Sequence, residues 1–106
     1  MSSVPEKDWK LFRKLQVELT ANACELVFKQ VDNIANHRVG KEHQSYLDLY
    51  RLIEVEDSKI AEMFNNPTRN NVLLKIVALK NHGVLSDEQL HLFSEETQEF
   101  VSRMLS

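Results

Sequence analysis

Two glycines and two prolines in 106 residues leave this chain few places to turn sharply. These residues are the strongest punctuators of local structure, and a chain built from many short strands needs more of them. None interrupts the stretch between Pro5 and Gly40, or that between Gly40 and Pro67. A few long helices are the expectation. Hydrophobic residues at 42% and charged residues at 27% are ordinary for a globular protein, so a single helical domain over residues 1–106 is expected.

Ser3 and Glu6 have the spacing of a capping box, which places a helix start near Pro5. His37, Arg38 and Gly40 predict its end, with Gly40 as a left-handed cap. Two apolar stripes run along this first helix. Phe12, Leu15, Leu19, Ala23, Leu26, Val27 and Ile34 form one; Val17, Ala21, Cys24, Phe28, Val31 and Ala35 form the other. A helix apolar on two sides is covered on both, by its own domain or by another chain. Unbroken from Glu6 to Val39 it would measure roughly 50 Å, against a radius of gyration of about 13 Å for a compact domain of this size. It therefore breaks, with Thr20 and Asn22 as the weakest helix formers nearby, or it overhangs. An overhang would make the second stripe a partner surface, with self-association the favoured reading.

The second helix is expected from about Glu42 to Asn65. Tyr46, Tyr50, Ile53, Ile60 and Phe64 recur at three-and-four spacing on one side of it, and Asp57 falls inside the same stripe. Asp57 is thus the candidate buried acid of the chain. It either pairs with a tyrosine hydroxyl or a basic side chain such as Arg13, Arg69, Lys75 or Lys80, or caps a segment starting at Ser58. A perturbed carboxylate serving a small molecule or metal is the functional alternative. Asn66, Pro67 and Asn81-His82-Gly83 delimit a third helix rich in apolar residues. Ser86 and Gln89 form a capping box for a fourth, with a kink foreseen at Ser94. The predicted fold is an all-α, antiparallel four-helix bundle, or five helices if the first one breaks.

The chemistry-bearing patterns are sparse. Cys24 is the sole cysteine, so neither an internal disulfide nor a thiolate metal site can be built from it. Glu88 and His91 have the spacing of a carboxylate-bridged di-iron motif, but no second pair exists and helical counting turns both toward solvent. With Gly40 and Gly83 the only glycines, a phosphate-cradling loop is excluded. No cofactor, metal or catalytic residue is assigned, and a non-enzymatic protein is expected.

The formal charge of −3 is unevenly spread. Residues 67–82 carry three Lys/Arg and no acid, whereas residues 83–106 carry one against five. Lys10, Arg13, Arg69 and Lys75 would carry a nucleic-acid-binding alternative, which the acidic balance disfavours. No apolar run approaches the ~18 residues of a membrane span, and the cysteine content suits a reducing, cytoplasmic setting. The function expected from sequence is a helical protein–protein interaction or regulatory module. It binds another protein or a second copy of itself, the latter through Val17, Ala21, Cys24, Phe28, Val31 and Ala35.

Overall fold

The structure, a computed structural model, describes residues 3–106. Among these residues there are five helices and no strand: α1 (Glu6–Asn36), α2 (Glu42–Phe64), α3 (Val72–Asn81), α4 (Asp87–Leu90) and α5 (Glu95–Leu105). The all-α class is as expected. The fifth helix comes not from a break in α1 but from the division expected at Ser94. α1 continues without a break through Thr20 and Asn22. The Thr20 hydroxyl donates to the Gln16 carbonyl at 2.7 Å, so it is satisfied within the helix rather than competing with it. The division falls instead at Ser94, whose side chain accepts the Thr97 N–H and starts α5.

The caps were partly legible. Ser86 and Gln89 form the full reciprocal box, with Gln89 N–H to Ser86 Oγ at 3.0 Å and Ser86 N–H to Gln89 Oε1 at 2.9 Å. Ser3 and Glu6 do not; Pro5 is the N-cap of α1, with no side-chain bond there. α1 ends at Asn36, before Gly40, which at φ +84° turns the connection into α2 instead of capping the helix. Nor does Asn66 cap α3. It sits at φ +47° in a loop held by Asn71, whose side chain donates to the Asn66 carbonyl (3.0 Å) and accepts the Thr68 N–H (2.7 Å).

α1 packs on α2, α2 on α3, and α3 on α5. The core lies toward one end of the molecule. α1 contributes Phe12, Leu19 and Ala23, α2 contributes Met63, and α3 contributes Val72, Leu73, Ile76, Ala78 and Leu79; Val84, Leu85, Leu90, Phe93 and Val101 close it. Full burial of side chains such as Phe12, Leu19, Ile76, Leu79 and Leu85 stabilises the fold by roughly 1.5–3 kcal/mol each. No residue of α1 beyond Ala23 is buried, and Ser45 is the only residue of α2 buried before Met63. The far half of the α1–α2 hairpin therefore projects as two helices with no third layer. The molecule measures 53 × 25 × 24 Å, with a radius of gyration of 16.3 Å. The overhang is real, and the 31 residues of α1 set its length.

Candidate functional site

The projecting hairpin leaves one side largely uncovered. Along α1, Val17 is 82% and Phe28 59% exposed, Ala21 is exposed, and Cys24, Val31 and Ala35 are half-buried. Along α2, Tyr46, Tyr50 and Ile53 are 65%, 61% and 47% exposed. A cleft of about 200 Å³ sets the end of the α1 row beside the start of the α2 row, and helical periodicity carries each row on along that side of the hairpin. Val31, Ile34 and Ala35 form one of its walls and Ser45, Tyr46 and Leu49 the other. Buried Ser45 is small enough to let the two helices approach closely there. The result is a continuous apolar face made of both helices. Each row follows the three-and-four spacing of a helix-packing seam. On α1, Lys10 and Lys14 continue the row beyond Val17 at that same spacing.

The second stripe of α1, predicted as a partner surface if the helix overhangs, is thus the exposed one. Its extension by Tyr46, Tyr50 and Ile53 does not follow from periodicity, which gives the α2 stripe, Asp57 included, the pattern of a core-facing side. The available signal was length: α1 and α2 are both too long for the remaining helices to cover.

The expectation of a buried Asp57 is corrected. Asp57 is exposed and makes no hydrogen bond or ion pair among the described residues. It lies within the apolar row of α2 but on the uncovered side, where water solvates it and no partner is required. Nor does it cap a segment, since α2 runs unbroken through Ser58. The buried acid is Asp8. It has no exposed surface, and its carboxylate accepts from the Ser94 N–H, the Ser94 hydroxyl and the Thr97 hydroxyl. A signal existed in the sequence, for Asp8, Phe12, Leu15 and Leu19 share one helix face.

The basic side chains proposed as partners of Asp57 or readers of nucleic acid are engaged elsewhere. Arg69 donates to the Val4 carbonyl at 2.9 Å and Lys75 to the Glu62 carbonyl at 3.0 Å, while Lys80 pairs with Asp87 at 2.8 Å. At the start of α1, Lys10 lies 3.7 Å from Glu6, and the Arg13 guanidinium sits 5.8 Å from the Trp9 ring centroid. Glu88 and His91 are both exposed. Among the described residues, no three His, Cys, Asp or Glu side chains come together as a metal site. No described helix is long and apolar enough to cross a membrane.

The opposite side of the hairpin carries a groove of about 400 Å³ at its junction with the body, floored by Leu26, Val27, Ile60, Met63 and Val84. Polar side chains close over it: Gln30 donates to Glu56 at 3.2 Å, and Lys59 reaches the same carboxylate at 3.4 Å. On the other side Arg38 and Glu42 line the cleft at the tip of the hairpin, while Phe28, Tyr50 and Ile53 stand exposed along the face.

Comparison with known proteins returns no matching family, no matching curated protein and no matching solved structure.

Proposed function

We propose that the chain is a non-enzymatic helical interaction module that binds a protein partner through the uncovered apolar face of the α1–α2 hairpin. One observation carries this reading: Phe28, Tyr46, Tyr50 and Ile53 stand exposed together on a projecting pair of helices. Single exposed apolar residues are normal on soluble proteins, whereas a contiguous patch marks a contact surface. Aromatic residues are enriched in the buried centres of such contacts. The three-and-four spacing of both rows suits a partner that presents its own helices. Internal engagement of Arg69, Lys75 and Lys80 takes the most basic element away from a nucleic-acid role.

The test is site-specific photocrosslinking in cells. A photoreactive residue at Phe28 or Tyr50 is expected to give a protein adduct of defined mass, and one at exposed Glu99 on α5 is not. The Phe28 adduct should vanish when Val31→Asp is added. If both face positions give only uncrosslinked chain, the interaction reading is wrong.

A further inference from the structure

We infer that the occupant of this face is a second copy of the chain, docked with its α1 antiparallel across the first. The inference rests on the interaction reading above and adds the identity of the partner. Its ground is the order of residues along the exposed row of α1: Lys10, Lys14, Val17, Ala21, Cys24, Phe28, Val31 and Ala35.

A two-fold axis between Ala21 and Cys24 sets this row against itself, position for position, as an isologous contact demands. Val17 then meets the partner subunit's Phe28, and Ala21 meets the partner subunit's Cys24. These small side chains at the axis allow the two backbones to approach. Lys14 lies over the partner subunit's Val31, with its ammonium beside the partner subunit's Asp32. On the same flank, Glu18 lies beside the partner subunit's Lys29. Symmetry produces each attraction twice. Two like-charged contacts oppose the arrangement: Glu25 falls nearest the partner subunit's Glu18, and Arg38, next in the row after Ala35, falls near the partner subunit's Lys7 and the partner subunit's Lys10. The Lys14–Asp32 and Glu18–Lys29 attractions, each made twice, favour the antiparallel direction, as charged positions do in coiled coils.

The area available limits the strength. Val17 to Ala35 spans roughly 27 Å of helix, and two helices of about 10 Å width present on the order of 500 Å² in plan. Stable complexes bury about 800 Å² of accessible surface per partner. A contact of this modest size suits a reversible pair, with monomer and dimer exchanging as the concentration changes. Val17 and Phe28 are exposed in the monomer, so replacing them disturbs the pair without entering the core.

Sedimentation of the full chain across a concentration series tests this. The wild type is expected to pass from monomer to dimer. Val17→Glu and Phe28→Glu should stay monomeric with unaltered thermal unfolding. Lys14→Asp should weaken the dimer about tenfold, adding Asp32→Lys should restore it, and Glu25→Lys should strengthen it. A dimer indifferent to Phe28→Glu, or a charge swap that fails to restore association, overturns the arrangement. A chain monomeric at every concentration while the Phe28 crosslink in cells persists removes the second copy and leaves the interaction reading intact.

Discussion

Asp8, in the first turns of α1, accepts a hydrogen bond from the Ser94 backbone N–H at 2.9 Å and another from its hydroxyl at 2.6 Å. The same carboxylate accepts from the Thr97 hydroxyl at 2.7 Å. One buried acid thus joins the start of α1 to the start of α5, where a negative charge also complements the helix dipole. Removing it leaves the Ser94 N–H and the Thr97 hydroxyl without an acceptor, and the Ser94 hydroxyl with only its longer contact to Thr97 Oγ1 at 3.3 Å. Asp8→Ala is expected to cost roughly 3 kcal/mol, and Asp8→Asn, which keeps one acceptor oxygen, about half that. Thr97→Val, losing one bond, should cost about 1 kcal/mol. Urea denaturation monitored by circular dichroism would reveal this order. An Asp8→Ala variant as stable as the parent would show that the joint contributes nothing.

Asp57 gives the opposite expectation. Exposed, and unpaired among the described residues, it should tolerate Asp57→Asn or Asp57→Ala with a change within about 0.5 kcal/mol, as surface positions usually do. A loss of several kcal/mol in the same denaturation measurement would mean that Asp57 has a partner in solution.

These two acids show where sequence reading succeeded and where it could not. Helical periodicity located α1 and α2 because apolar residues repeat on their faces over many turns. Periodicity names a face but does not say what lies against it. The stripe through Tyr46, Tyr50 and Ile53 has the pattern of a core face, yet the body of the protein ends before it. The stripe through Phe12 and Leu19 does reach the core and takes Asp8 with it. Local caps were readable where a side chain closes its own turn, as at Ser86 and Gln89. They were not readable at Asn66, where the bonds come from Asn71, five residues along the loop. The exposed apolar face is half legible: its row on α1 shows in the periodicity, whereas its continuation on α2 depends on how the two helices are rotated against each other.

Gly83 ends α3 at φ +75°, which lets the Val84 and Leu85 N–H groups both reach the Leu79 carbonyl, at 2.9 and 3.1 Å. A Cβ here would meet no atom within 4 Å, so any cost of substitution is that of the backbone conformation alone. Gly83→Ala should therefore destabilise by about 1–2 kcal/mol. Gly83→Asn should cost less, because Asn tolerates the left-handed region better. Equal melting temperatures for Gly83→Ala and Gly83→Asn would contradict this account.

Lys80 and Asp87 supply a prediction for acid pH. The Lys80 ammonium stands 2.8 Å from Asp87 Oδ1, and its hydrogen bond, then its charge, hold the Asp87 carboxyl below the usual carboxylate range. A carboxyl more acidic in the folded chain than in the unfolded one takes up its proton later as the pH falls. The pair's contribution is thus complete above the unfolded value of about 4, and it is lost as pH drops through the lower folded value. Solvent surrounds Asp87, so the effect on overall stability is small and weakens with salt. The direct measurement is an NMR titration of the Asp87 side chain. In Lys80→Met its midpoint should move upward toward the ordinary carboxylate value, and high salt should move the wild-type midpoint the same way. The small stability advantage of the wild type over Lys80→Met at neutral pH should then close at the acid end of the titration. A midpoint unmoved by Lys80→Met would mean that the ion pair does not form in solution, leaving the connection between α3 and α4 to the Gly83 turn and the burial of Val84 and Leu85.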